Sequence, residues 1–395
     1  MSPAKPPSQS PIARRAAEIG PFEVMDVLAR AQALEAAGRR VIHMEIGEPD
    51  FPAPEPVARA AARALAEGRG AYTPSLGLNA LREAIAGYYA LRFSRRLDPG
   101  RIAVTAGASG GLLLTLALYV EPGDEVLVPD PGYPGYRHLV RVFEGTPRAL
   151  PVSAPTRFQP TLDAVQRAWG ARTKGIVVGS PANPTGTTID PAELSRIAAF
   201  VAARGGVLIA DEIYQGLSYG APPATALGLP GEVALVNSFS KYFCMTGWRL
   251  GWVVLPPARL REFEKLAQHL FICAPSIAQH AALAAFAPAT LEILEARRAE
   301  FERRRDAFVP ALARAGLAVP APPTGAFYAY ADCSAFGGAR RFTLELLERE
   351  GVAATPGTDF GENATRDYAR FAYTRSLEDL EEAARRVARF CAGLA

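Results

Sequence analysis

Apolar positions follow two rhythms along this chain. Spacing of three to four residues predicts helices over 22–37, 54–67 and 78–93, the last two rich in Ala, Leu and Arg. Short β-branched runs ending in Gly, Pro or Asp predict strands at 102–106, 125–129, 175–179, 207–210 and 233–236. Helical stretches at 112–119, 191–203 and 260–271 separate most of them. Continuous apolar strands between helices describe an α/β fold, with a mostly parallel central sheet covered by helices on both faces. After about residue 292 the pattern changes. A charged helix over 295–312 leads to strands at 326–331 and 369–374 and a last helix over 377–390, a smaller α+β domain. The expected division is an N-terminal arm and helix (1–47) packing with the small domain, a large domain (48–291) and a small C-terminal domain (292–395).

Composition narrows this picture. A length of 395 residues suits two or three domains and a large core, with no need of disulfides or structural metal. The net charge of +3, from 43 basic and 40 acidic residues scattered along the chain, offers no nucleic-acid surface. Four separated cysteines, without a CxxC pair or nearby histidine ligands, read as reduced thiols of a cytoplasmic protein with no metal site. The apolar stretch from Leu112 to Val120 falls far short of the roughly 20 residues a membrane span needs. The first dozen residues, rich in Pro and Ser, read as a disordered leader rather than a signal peptide.

Polar residues then fall one after another at strand ends, where α/β sheets bind ligands. The first strand runs into Gly107-Ala108-Ser109-Gly110-Gly111 and opens a helix, a turn able to offer free backbone N–H groups to an anion. The second ends at Tyr133, a candidate to stack on a planar ring. The third leads to Asn183, fixed between Pro181 and Pro184; the fourth leads to Asp211 and Tyr214. An aspartate directly after four apolar strand residues needs a partner once buried, although a plain helix cap would also explain it. The fifth leads to Ser238 and Lys241, with Arg249 eight residues on. A partly desolvated lysine loses its proton readily and attacks carbonyls, whereas most lysines simply lie at the surface. Each residue alone has a duller explanation. Together they supply what a pyridine aldehyde phosphate requires.

At this point the chain resembles the class I/II, fold-type I pyridoxal-phosphate-dependent aminotransferases typified by aspartate aminotransferase. The resemblance runs from Ile46-Gly47-Glu48-Pro49-Asp50-Phe51 to the region of Arg370. Its most specific motif is Ser238-Phe239-Ser240-Lys241 followed by Thr246-Gly247-Trp248-Arg249; next come Asn183-Pro184-Thr185-Gly186 and Asp211-Glu212-Ile213-Tyr214. It implies that Lys241 holds pyridoxal 5'-phosphate as a Schiff base and moves protons. Asp211 pairs with the ring nitrogen, Asn183 and Tyr214 with the ring hydroxyl oxygen, and Tyr133 stacks on the ring. Gly107, Ala108, Ser109, Ser238 and Arg249 hold the phosphate. Arg370, Asn183 and Gly47 bind the substrate α-carboxylate. Tyr72 reaches the phosphate of a neighbouring subunit, which implies a homodimer.

The implied reaction is ping-pong transfer of an amino group from an L-amino acid to a 2-oxo acid. Other chemistry on the same cofactor, such as a C–S β-lyase, a decarboxylase or a cyclopropane-forming synthase, shares these residues. A non-enzymatic regulator domain would need an appended DNA-binding unit, and only about twenty residues precede Pro21, too few for one. Three departures stand out. Ser109-Gly110-Gly111 stands where the family often carries bulkier or charged residues, Cys244 occupies a position where Gly or Ser is expected, and no cation near 112–120 is placed to read a side-chain carboxylate, though a loop from elsewhere could supply one. The last points toward neutral or aromatic amino donors rather than aspartate.

Overall fold

The computed structural model describes residues 12–220 and 223–394, so the expected leader falls, except for Ile12, outside the described residues. Seven strands form one sheet in the order Ile102–Thr105, Gly251–Val254, Glu232–Ser238, Val207–Asp211, Thr173–Gly179, Glu125–Asp130, Thr146–Pro151. All neighbours run parallel except Gly251–Val254, which is antiparallel to both strands beside it. The chain is therefore a mixed α/β protein with a mostly parallel central sheet.

The period of two explains why these runs are apolar throughout. Along Val207–Asp211, Val207 and Ile209 join one core with the helices Gly107–Tyr119 and Pro257–Leu270. Leu208 and Ala210 join the opposite core with Pro191–Ala203. Each side chain is thus buried whichever way it points. That second core continues without a break through Phe301, Phe308, Tyr328 and Phe371.

The C-terminal part holds an antiparallel sheet of Thr355–Pro356, Tyr368–Ala372 and Tyr328–Asp332. Around it lie the helices Pro288–Arg314, Ala339–Glu350 and Leu377–Ala392. The N-terminal helix Glu23–Ala36 sets Ala31 and Leu34 against Leu347 and Ala353, and Ile42–His43 pairs with Val352–Ala353. The chain start is thereby tied to the C-terminal part.

Sequence rhythm missed two strands of the large sheet. Thr146–Pro151 is an edge strand with two prolines and mostly exposed side chains, so it carries no apolar run. Gly251–Val254 is short and follows a motif whose chemistry masks it; a Cβ on Gly251 would stand 2.7 Å from the Asn237 carbonyl oxygen and 2.9 Å from the Ala108 nitrogen. This close passage brings the Arg249 turn under the start of the Gly107–Tyr119 helix. Among the described residues no single helix is long and apolar enough to cross a membrane.

Candidate active site

The carboxyl ends of the parallel strands open into a cleft of about 230 Å³. At one end the helix Gly107–Tyr119 begins with Gly107 at φ +71°, a conformation that costs glycine nothing. Its first N–H groups, at Ala108 and Ser109, have no partner within the helix. Arg249 sits in the left-handed region at φ +52°, an unusual backbone for a side-chain residue. That turn places its guanidinium so close that a Cβ on Gly107 would lie 2.5 Å from Nη2. Arg249 Nη1 donates to Ser240 Oγ at 3.3 Å and to the Thr246 carbonyl at 3.0 Å. Ser238 Oγ donates to Ser240 Oγ at 3.0 Å, and Ser109 is exposed. Backbone N–H groups, three serine hydroxyls and a guanidinium converge here, a donor set that suits a phosphate dianion.

In the middle, Asp211 ends its strand and is 4% exposed. Tyr136 donates its hydroxyl to Oδ2 at 2.7 Å and the Ile213 N–H donates to Oδ1 at 3.1 Å. Among the described residues it forms no ion pair, and burial raises its pKa despite these bonds and the attraction of Lys241. It does not cap a helix: a short 3-10 turn at Gln215–Leu217 follows it. A buried acid without an ion pair suits a cationic partner. Tyr133, whose ring meets that of Tyr136 edge-on at 5.3 Å, forms one wall of the cleft.

Lys241 donates from Nζ to the Gly47 carbonyl at 2.6 Å. Its amine faces the cleft while protein surrounds it at longer range. That desolvation lowers its pKa to about 8; Arg370 and Arg249 push in the same direction, and Glu48 and Asp211 oppose them. Tyr214 is buried, shares a 2.7 Å hydrogen bond with the Tyr328 hydroxyl, and presents its ring 5.8 Å from Nζ.

At the other end Arg370 is 5% exposed. Nη1 donates to Asn183 Oδ1 at 2.9 Å, and Nη2 donates to the Glu45 carbonyl and to Thr355 Oγ1. Nε has no hydrogen-bond partner among the described residues. The guanidinium lies 4.5 Å from the centre of the Tyr328 ring and 4.9 Å from that of Phe360. No carboxylate pairs with it among the described residues, so this buried cation is primed for an external one.

Of the residues singled out from sequence, Gly47, Ala108, Ser109, Tyr133, Asn183, Asp211, Tyr214, Ser238, Lys241, Arg249 and Arg370 line this one cleft. Gly107 lies directly behind it. Tyr72 does not; it is 80% exposed, away from the cleft of its own chain. Sequence reasoning missed Tyr136, Tyr328, Ser240, Phe22 and Val24, which also line it. The repeated Pro-Gly-Tyr at 131–136 was the available signal for Tyr136.

This fold and this cleft define a transaminase, and the chain belongs to the aminotransferase class I and II family, whose profile matches residues 39–387. It is 38% identical over 374 residues to the valine–pyruvate aminotransferase of Mycobacterium tuberculosis, covering 94% of this chain and 96% of the relative. It is 33% identical over 390 residues to the aspartate aminotransferase of Geobacillus stearothermophilus, covering 96% and 98%. The crystal structure of an aminotransferase from M. tuberculosis superposes with a TM-score of 0.93 at 37% identity, covering 98% of this chain and 100% of that one. The family depends on pyridoxal phosphate and acts on amino acids and 2-oxo acids, and the donor set of the cleft fits that cofactor.

Proposed function

We propose that this protein is a homodimeric, cytoplasmic aminotransferase in which Lys241 carries the cofactor and moves the proton, and Arg370 grips the substrate α-carboxylate. When bound, the cofactor supplies an electron-withdrawing ring that accepts the electron pair left at the substrate Cα. The observation that carries the assignment is the alignment of three groups along one cleft: the cradle at Gly107–Ser109 with Arg249, the amine of Lys241 beside Asp211, and the buried Arg370.

Asp211, aided by Tyr136, would keep a positive charge at the ring nitrogen, while Asn183 and Tyr214 would hydrogen-bond the ring oxygen. Tyr133 would stack on the ring; Gly107, Ala108, Ser109, Ser238 and Arg249 would hold the phosphate. Arg370, with Asn183 and the backbone of Gly47, fixes the carboxylate so that the Cα–H bond faces Lys241. With its pKa near 8, the Lys241 amine is suited both to take that proton and to return it.

The exposed Tyr72 and the solvent-open Ser109 support a dimer in which Tyr72 completes the partner's phosphate site. The free cysteines support a reducing compartment. The tie between the N-terminal helix and the C-terminal part supports the division at residues 47 and 291.

Borohydride reduction of the cofactor-loaded protein tests the assignment. The expected result is a single tag on Lys241, no turnover in Lys241→Ala, and isotopic nitrogen passing from amino acid to 2-oxo acid. A tag on another lysine, or full turnover in the variant, sinks it.

A further inference from the structure

Among the described residues, five charged side chains line the cleft: the cations Lys241, Arg249 and Arg370 and the acids Asp211 and Asp359. On the reading above, all three cations are engaged, by cofactor, phosphate and α-carboxylate. The rest of the wall is largely apolar, with Phe22, Val24, Ile46, Leu112 and Phe360 beside the hydroxyls of Tyr136, Ser240, Thr246 and Tyr328. Into it faces Asp359, 4% exposed on the short turn Gly357–Phe360. Its Oδ1 accepts the Glu23 N–H at 2.9 Å, while no hydrogen bond reaches Oδ2 among the described residues. Arg137 approaches this turn but donates to the Asp359 backbone carbonyl at 2.7 Å, and it does not line the cleft. The carboxylate thus faces the cleft with no ion pair of its own among the described residues; burial raises its pKa, and Arg370 and Arg137 attract it from beyond ion-pair distance.

We infer that this wall selects monocarboxylic, apolar amino acids and 2-oxo acids, and that Asp359 is the specificity residue that turns away a second carboxylate. The inference rests on the proposed transamination and adds its substrate class. A side chain of the valine, leucine or phenylalanine kind gains by leaving water against the apolar wall. The distal carboxylate of aspartate or glutamate loses its hydration there, finds no unengaged cation in the lining that this chain's described residues supply, and meets a like charge where the dielectric is low. The 2-oxo acid of the second half-reaction occupies the same pocket as the amino acid of the first. The same selection therefore favours pyruvate and branched 2-oxo acids over oxaloacetate and 2-oxoglutarate.

The experiment is a panel of half-reactions on the cofactor-loaded enzyme with valine, leucine, phenylalanine, aspartate and glutamate, then with the matching 2-oxo acids. The expected kcat/KM for the best apolar donor exceeds that of either acidic donor by about tenfold or more. Asp359→Asn keeps an oxygen for the Glu23 N–H and removes the charge; it should narrow that ratio about fivefold, through KM for the acids. If aspartate or glutamate matches the apolar donors, or if the variant leaves the ratio unchanged, the inference falls while transamination stands. If no amino acid in the panel transfers nitrogen, both fall.

Discussion

The two cationic ends of the cleft are built in opposite ways. Arg249 is exposed, and its partners Ser240 and Thr246 lie 9 and 3 residues away along one doubled-back segment. Arg370 is buried, and its partners Asn183 and Glu45 lie 187 and 325 residues away. An exposed guanidinium acts through water and salt, so its charge is worth little beyond the hydrogen bonds it makes. A buried one acts at low dielectric, and carbonyl and amide oxygens alone do not neutralise it. In the single chain the Arg249 end is thus a local device of modest strength, and the Arg370 end a global one of greater strength.

The largest expected effect therefore belongs to Arg370. In Arg370→Ala, kcat/KM should fall by about 10²–10³ for every α-amino acid, the loss expected when one partner of a buried charge pair is removed. Half-reaction kinetics over several donors measure it; a loss confined to one donor would mean that Arg370 reads a side chain. Arg249→Ala should instead weaken cofactor affinity by about tenfold, the value of one or two charge-assisted hydrogen bonds at an exposed site. Equilibrium titration of the apoprotein with pyridoxal phosphate reads this directly. If the two variants trade phenotypes, the contrast between the ends is wrong.

The same contrast explains what the sequence could tell. The Arg249 end was legible because Ser238, Lys241 and Arg249 fall within twelve positions after an apolar strand. Arg370 could be named only through resemblance, since nothing local marks it: its contacts close across the whole chain. Tyr328 was invisible for a related reason, because a tyrosine inside an apolar strand has the same rhythm as any core residue, and only the fold puts its hydroxyl on Tyr214. Phe22 and Val24 reach the cleft because Asp359 accepts the Glu23 N–H, a contact spanning 336 positions. Cys244 is a case where sequence noticed the oddity and structure supplies its cause. It stands at φ +54°, a backbone region that favours glycine.

Between the two ends, Tyr136→Phe tests whether Asp211 acts independently of both. The variant removes the 2.7 Å hydrogen bond to Oδ2 and leaves only the Ile213 N–H on the carboxylate. A bond to a charged acceptor is worth about 1.5–3 kcal/mol, so kcat should fall by roughly ten- to a hundredfold. KM for the amino acid, which the proposed carboxylate grip sets at the Arg370 end, should change much less. A rise in KM with kcat intact would place Tyr136 in substrate binding instead.

The smallest effect is the most direct measure of how strongly each end is felt in the middle. Neutral amine is the nucleophile, so covalent uptake of pyridoxal phosphate by the apoprotein should quicken as pH rises and level off above about 8, the pKa of Lys241. Burial is the main cause of that low value, and both arginines add to it by repelling the ammonium. Deleting either cation makes the protonated amine easier to keep, so the midpoint must move to higher pH in both variants. Arg370 repels Lys241 more than Arg249 does, so Arg370→Ala should move it further. Each profile is normalised to its own plateau, which separates the shift from any loss of phosphate binding. Equal shifts would show that burial does not make the Arg370 end the stronger one, and an unchanged midpoint in both variants would show that neither arginine reaches the amine.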